Sequence, residues 1–303
     1  MMSLMRFSLL LILYSLASPT LAKTQACDQW PKGLVFVGLT DAGWQTYVVE
    51  KTGRKPKKID LKTEARTPVY TLAHESLIYI DEAGQVNEFS LKQRKAKVLF
   101  SPSNEASYAQ PEFDEENNAV YVVKLKQGKS VDTDIIRFDL AGGTTKPVVV
   151  QRSAQFEPQL GQDWLYYSNV HCVVGCGKII QEVWRYHTVS GIAEQLTLLN
   201  TISRQPTVDE QGEWLYFSSN AAGNYHIYRQ SLVGNDSNKN RALEKLTQGP
   251  ATDMSPVIHK NRLYFIRHDE QGAHLMCRNN SNDEFHNMTL PRGVKDIRDL
   301  EIH

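Results

Sequence analysis

One short apolar and aromatic pattern recurs six times along the chain. The copies lie at residues 34–38, 77–81, 119–123, 164–168, 214–218 and 262–266, and five of them carry Tyr at the third position, where the first carries Phe36. Continuous runs of β-branched and aromatic residues are typical of strands that are buried on both faces. The pattern therefore predicts six interior strands.

A second, alternating strand follows each interior strand. These strands lie at 45–49, 85–89, 134–138, 182–186, 226–230 and 274–278, and their period of two predicts one drier and one wetter face. A short closing segment comes next, clearest at 194–197 and 244–247. Glycines that can supply the positive φ of tight hairpins lie between the two strands of each copy: Gly43, Gly84, Gly128, Gly175, Gly223 and Gly272.

Prolines set the period of the repeat. Pro68, Pro111, Pro158, Pro206 and Pro256 are separated by 43, 47, 48 and 50 residues, and the next step falls at 298–299. The segment 299–303 thus has no strands after it, while the first repeat has no proline-led segment before it. We expect the C-terminal strand to pair with the N-terminal blade and to close an all-β, six-bladed β-propeller.

Two other folds are less consistent with this pattern. A helical fold would need apolar stripes with a period of 3.6, and none extends beyond a turn. An open β-sandwich is the competing all-β fold, but it does not explain six equal units with complementary ends.

In the segment 205–247, Pro206, Asp209 and Gly212 precede the strand at 215–218, and an Ile-Tyr pair at 227–228 and a Leu-Thr pair at 246–247 follow. This order resembles a WD40-like (PD40) repeat of the TolB propeller family. In that family a Pro-x-x-Ser-Pro-Asp-Gly turn precedes a Leu-Tyr-Phe-x-Ser strand, followed by Ile-Tyr and Leu-Thr. The other repeats keep the strand and lose the turn, so the resemblance covers roughly residues 33–303 at the level of blades.

The resemblance implies a periplasmic, non-enzymatic propeller that binds an envelope protein or peptide and needs no cofactor. The family's namesake docks a peptidoglycan-associated lipoprotein and carries an α/β domain before its propeller. Here only residues 23–32 separate the predicted cleavage site from the propeller at 33–303. We therefore expect a propeller alone, and membership of the same envelope machinery does not follow.

The first 22 residues have the pattern of a secretory signal peptide. Arg6 is their only charge, residues 9–17 form the apolar region, and Thr20 and Ala22 are the small residues before the cleavage site. A retained anchor and a lipoprotein attached at Cys27 are the alternatives. We expect an exported, periplasmic chain with no transmembrane segment after cleavage.

Four cysteines in an exported chain favour disulfides. Cys172 and Cys176 are close enough in sequence for a local bridge, which leaves Cys27 and Cys277 as a second pair. His171 beside Cys172 raises the alternative of a zinc corner, but zinc usually takes four ligands from two clusters and no second cluster is present.

Charge and motifs narrow the function. The 34 basic and 34 acidic residues give a net charge of zero, which argues against general nucleic-acid binding. No nucleophile elbow, HExxH motif, phosphate loop or dinucleotide-binding motif is present.

A non-catalytic, monomeric interaction module is the first hypothesis. A lyase or lactonase with a channel-bound metal is the second, and a propeller that binds a small ligand is the third.

Loops before the prolines lead into the innermost strands and should face one mouth of the channel. We predict a partner-binding ring there, with ordinary solvated loop residues as the alternative; its members are Arg66, Tyr108, Phe156, Arg204, Met254 and Arg298. Four further residues lie at or just after the ends of innermost strands and are either channel groups or polar turn residues: Asp114, Asp209, His259 and His303. His74 has the same position in its repeat as His259.

Overall fold

The computed structural model describes residue 27 and residues 29–126, 131–172, 177–233, 242–279 and 284–302. These residues form 24 strands in six four-stranded antiparallel sheets, one sheet for each predicted repeat. The fold is therefore the predicted six-bladed propeller.

The strands of the first three blades follow the predicted pattern closely. Blade 1 contains β1 (Val35–Thr40), β2 (Gly43–Val48) and β3 (Lys57–Ile59), together with the last strand of the chain. Blade 2 contains β4 (Arg66–Thr71), β5 (Ser76–Ile80), β6 (Val86–Ser90) and β7 (Lys95–Phe100). Blade 3 contains β8 (Ala106–Asp114), β9 (Ala119–Lys126), β10 (Thr133–Asp139) and β11 (Thr145–Val149).

The remaining blades repeat the same order from the axis outward. Blade 4 contains β12 (Ala154–Gly161), β13 (Trp164–Cys172), β14 (Ile180–His187) and β15 (Ala193–Gln195). Blade 5 contains β16 (Ser203–Val208), β17 (Trp214–Ala222), β18 (Asn224–Ser231) and β19 (Leu243–Lys245). Blade 6 contains β20 (Thr252–His259), β21 (Arg262–Asp269), β22 (Gly272–Asn279) and β23 (Phe285–Met288), and β24 (Asp296–Glu301) completes blade 1.

The ring closes where the two ends of the chain meet. β24 pairs antiparallel with β1, with Arg298 opposite Val37 and Asp296 opposite Leu39. Ile297 and Leu300 of β24 are buried in the core that joins blades 6 and 1. The predicted closure by the C-terminal strand is confirmed.

A disulfide between Cys27 and Cys277 reinforces this closure. The two Cα atoms are 5.8 Å apart, and the bond ties the segment before β1 to β22 of blade 6. Trp30 from the same segment is buried in the core shared by blades 6 and 1. Cys176 and the side chain of Cys172 lie outside the described residues, and so does the predicted bridge between them.

Aromatic side chains fill the space between blades. Tyr166, Tyr216 and Tyr264 are fully buried, in agreement with the interior strands predicted from the sequence. The Arg185 guanidinium stacks on the half-buried ring of Trp164, 3.9 Å from its centroid. Arg229 and Trp214 repeat this contact in the next blade at 4.4 Å. In both blades the arginine side chain covers a tryptophan ring at the edge of the hydrophobic core.

Among the described residues, no helix has the length and apolar character that a bilayer crossing requires.

Candidate functional site: the central channel and its two mouths

Six residues in the left-handed backbone conformation surround the channel axis. Each lies in an innermost strand directly before a proline, or before Leu300 in β24, and at each the register with the neighbouring strand shifts. We call this set the bulge ring; its members are Thr67, Gln110, Glu157, Gln205, Ser255 and Asp299, with φ between 45° and 56°. A positive φ is costly for such residues, so their surroundings must hold them in place.

Side chains of the bulge ring supply this hold by linking one blade to the next. In four of the six junctions, a ring side chain accepts a hydrogen bond from the backbone N–H of the next ring residue. The bonds run from Thr67 to Asp299, from Glu157 to Gln110, from Gln205 to Glu157 and from Ser255 to Gln205, with N···O distances of 2.7–3.2 Å. The strained backbone is thus tied to the neighbouring blade at these four junctions.

Glu157 is the most heavily bonded member of the ring. Its carboxylate accepts hydrogen bonds from the Arg204 Nε at 2.9 Å, from the Ser168 hydroxyl at 2.6 Å and from the Gln205 N–H at 2.7 Å. The pKa of the Arg204 guanidinium is raised, chiefly by the charge of Glu157. This pair joins blade 4 to blade 5 at the channel wall.

Asp299 is less well compensated. Its carboxylate accepts the Thr67 N–H at 3.2 Å and lies 3.5 Å from the Arg298 Nε. Burial raises the pKa of Asp299, and these two contacts offset only part of the effect. The neighbouring Thr67 hydroxyl oxygen is buried without a hydrogen-bond partner in the described part of the chain.

A cavity of about 130 Å³ lies on the axis inside the bulge ring. Its wall combines the polar ring residues with the faces of Pro111, Pro158, Pro206 and Pro256. Gln159 also lines a much larger concavity on one side of the ring. The channel is therefore narrow in the middle and widens toward one mouth.

The wide side is the C-terminal mouth, where the innermost strands end. The concavity there has a volume of about 920 Å³ and is formed mainly by turns of blades 3 to 6. Seven carboxylate residues line it, against four lysines and arginines. Exposed carboxylates at Glu116 and Asp163 have no ion pair with the described residues.

Asp114 and Asp209 lie in this concavity and stabilise its turns. Asp114 accepts the backbone N–H of Asn117 at 2.9 Å, and Asp209 accepts that of Glu213 at 2.7 Å. Both carboxylates therefore have the turn role that the sequence offered as the alternative to a channel role. Their carboxylates still border the concavity.

The histidines do not form one cluster. His259 lies in the concavity, 4.0 Å from Glu210, and burial lowers its pKa. His74 instead contacts Glu88 at 3.0 Å and packs against the ring of Phe113. His303 lies outside the described residues. Within the described ranges, no three His, Cys, Asp or Glu residues come close enough together to hold a metal ion.

The six predicted partner-binding residues lie at the opposite, N-terminal mouth. Arg66 is exposed and forms no ion pair with the described residues. Arg204 is engaged by Glu157, and Arg298 pairs with Glu64 while its guanidinium stacks on the Trp44 ring at 4.2 Å.

The three uncharged members of the predicted set are half-buried. Tyr108 packs edge-on against Phe100, with the ring centroids 4.9 Å apart. Phe156 and Met254 are partly exposed in β12 and β20. The structure thus brings the six residues to one mouth, and Arg66 is the most accessible of them.

No protein-family model and no curated protein sequence matches this chain. Solved structures do match. TolB from Acinetobacter baumannii superposes with a TM-score of 0.69 at 15% identity, over 88% of this chain and 66% of TolB. TolB from Agrobacterium tumefaciens superposes with a TM-score of 0.64 at 12% identity, over 85% of this chain and 88% of that one.

The chain has the TolB-like six-bladed propeller fold. At these identities the likeness concerns the fold alone. The TolB-like propeller spans only about two thirds of the length of A. baumannii TolB. An oligogalacturonate lyase in complex with manganese also shares the fold, with a TM-score of 0.59 at 11% identity over 86% of this chain and 73% of the lyase.

Sequence reasoning did not identify the bulge ring of the TolB-like propeller. The prolines define the period of the repeat, whereas the residue before each of them differs in type from one repeat to the next. A signal was present, because Thr67, Gln110, Glu157, Gln205, Ser255 and Asp299 all carry a side-chain oxygen at one repeat position. Such an oxygen can accept the hydrogen bond that holds the neighbouring bulge.

Proposed function

We propose that this chain is an exported, periplasmic, non-catalytic interaction module that presents one channel mouth to an envelope protein or peptide. The TolB-like fold supports an interaction role, and the disulfide between Cys27 and Cys277 supports export to an oxidising compartment. The signal-peptide pattern of residues 1–22 points to the same location.

The concavity at the C-terminal mouth is the observation that carries this proposal. Its volume of about 920 Å³ accommodates several side chains of a partner, and its excess of carboxylates favours a partner segment with lysine or arginine. The bulge ring beneath it is held by hydrogen bonds between blades, and a site that is already formed lowers the entropic cost of docking. The N-terminal mouth is the competing location, with Arg66 as its accessible charge.

Charge reversal at each mouth tests the proposal. The variant with Glu116→Lys and Asp163→Lys changes two exposed carboxylates of the concavity, and Arg66→Glu changes the opposite mouth. We expect a cross-linked envelope partner to be lost only with the first variant. Loss only with Arg66→Glu would move docking to the N-terminal mouth, and absence of any saturable partner would refute the interaction role.

A manganese-bound lyase shares this fold, which supports an alternative function for the chain: a propeller lyase or lactonase with a metal ion in the channel. The described residues do not supply a metal site. Elemental analysis of the purified protein tests this alternative, since stoichiometric manganese, zinc or calcium would favour it over docking. A thermal-shift screen tests the third hypothesis, a small ligand in the 130 Å³ cavity.

A further inference from the structure

Nine exposed lysines and arginines lie on the outer rim of blades 1 and 2. Five fall in residues 51–58 and four in residues 92–97, and neither stretch contains an acidic residue. We call this set the basic rim; its members are Lys51, Arg54, Lys55, Lys57, Lys58, Lys92, Arg94, Lys95 and Lys97.

The two stretches belong to one surface. Glu50 lies between them, with its carboxylate 3.3 Å from the Lys57 ammonium and 3.4 Å from the Arg94 guanidinium. Beneath them, Ile59 at the end of β3 is buried in the same core as Phe89 of β6. The outer edges of the two blades are therefore packed side by side.

The basic rim is poorly neutralised. The carboxylates in contact with it are Glu50 and Glu88, the latter 2.8 Å from Lys97, so nine positive and two negative charges leave a formal charge of +7. The chain as a whole has a net charge of zero, so this excess is local. The other six members form no ion pair with the described residues: Lys51, Arg54, Lys55, Lys58, Lys92 and Lys95.

The shape and chemistry of the basic rim fit a flat, polyanionic partner. None of its members lines the central cavity or the concavity, so neither of these two cavities would hold a small anion against the basic rim. Seven of the nine are lysines, whose compact, hydrated charges on flexible stems suit diffuse attraction. Arginine, with its planar fork, is the usual residue for bidentate recognition of single groups.

We propose that the basic rim binds the surface of a bilayer that contains anionic phospholipids. Clusters of four to eight lysines and arginines are drawn to such surfaces, each adding to the binding free energy while it lies within a Debye length of the headgroups. Because the rest of the chain carries no excess of positive charge, the propeller would meet the bilayer with the edge of blades 1 and 2.

Vesicle co-sedimentation of the full chain tests the proposal. We expect binding to phosphatidylethanolamine vesicles that contain about 30% phosphatidylglycerol, no binding to phosphatidylcholine vesicles, and loss of binding between about 0.05 M and 0.5 M salt. The variant with Lys55, Lys58, Lys92 and Lys95 changed to Gln should bind roughly 1000-fold more weakly. These side chains are exposed, and thermal unfolding verifies that the variant is folded.

A matched control removes four exposed positive charges elsewhere. The variant with Lys146, Arg152, Lys245 and Lys260 changed to Gln has the same net charge and should bind vesicles like the wild type. Equal loss in the two variants, or no binding of the wild type to anionic vesicles, would overturn the proposal.

Binding of wild type to poly-glutamate without binding to vesicles would also overturn it and assign an acidic protein partner. The channel-mouth variants leave the basic rim intact, so the two proposals fail independently.

Discussion

The Glu157 carboxylate accepts a hydrogen bond from the Arg204 Nε at 2.9 Å across the junction of blades 4 and 5. The two residues are 47 positions apart, one repeat of the sequence. The same carboxylate accepts a hydrogen bond from the backbone N–H of Gln205. One side chain therefore neutralises the Arg204 guanidinium and stabilises the strained backbone of the next blade. This relationship makes the bulge ring a set of joints between blades.

Removal of the Glu157 carboxylate should weaken one of these joints. Glu157→Ala leaves the Arg204 charge and the Gln205 N–H without their acceptor, and we expect a loss of about 2 kcal/mol in the free energy of unfolding. Urea unfolding measures it. Glu50→Ala, which removes the carboxylate of a more exposed pair with Lys57, should change it by about 0.5 kcal/mol or less. Equal effects of the two substitutions would contradict the role of the joint.

The disulfide should contribute more than a local contact because it closes a long loop. Cys27 and Cys277 are 250 positions apart, and we expect Cys277→Ser to lower the free energy of unfolding by about 2–5 kcal/mol. Cys27→Ser should give a loss of similar size, and the double variant no further loss. Additive losses in the double variant would mean that the two thiols are not paired.

The C-terminal strand should be essential for a single cooperative unit. Truncation after Lys295 removes β24, exposes the β1 edge and opens the core that Ile297 and Leu300 fill. We expect the truncated chain to lose its cooperative thermal transition. The single substitution Ile297→Ala should preserve the transition and cost about 2–4 kcal/mol. A truncated chain that unfolds like the wild type would show that closure does not need this strand.

Acid sensitivity should come in part from His226. Its side chain is buried between blades 5 and 6, and burial lowers its pKa from the ordinary value of 6.5, with Lys245 acting in the same direction. The unfolded chain therefore binds the proton more readily than the folded chain does. The stability that the neutral, buried His226 contributes is complete above pH 6.5, and it is lost as the pH falls through 6.5 toward the lowered pKa.

His226→Gln should flatten this pH dependence. The difference in unfolding free energy between wild type and variant should shrink from pH 7.5 to pH 5.5, which urea unfolding at the two pH values measures. His286→Gln provides the control, because the His286 side chain is nearly half exposed on blade 6. A difference that is constant with pH would show that His226 does not titrate on unfolding.

The fold of the propeller follows from features that can be recognised in the amino-acid sequence. Apolar strands with Tyr at one position, hairpin glycines and a proline period are local features, and each acts through steric preference or burial within its own repeat. The closure of the ring also follows from the sequence. The first repeat lacks its innermost strand, the C-terminal segment consists of such a strand alone, and together they make one complete blade. In the sequence, Cys27 and Cys277 are only the two cysteines that remain once Cys172 is assigned to Cys176. The structure places Cys27 and Cys277 within bonding distance.

The candidate site, in contrast, depends on contacts between residues of different blades. Glu157 meets Gln205, and Thr67 meets Asp299, only when neighbouring blades turn the same repeat position toward one axis. The same geometry makes one mouth a wide concavity and engages Arg204 and Arg298 within the other, which a linear pattern does not encode. Periodicity fixes which residues share a strand, whereas contacts between side chains from different repeats depend on the distances and angles at which the blades pack.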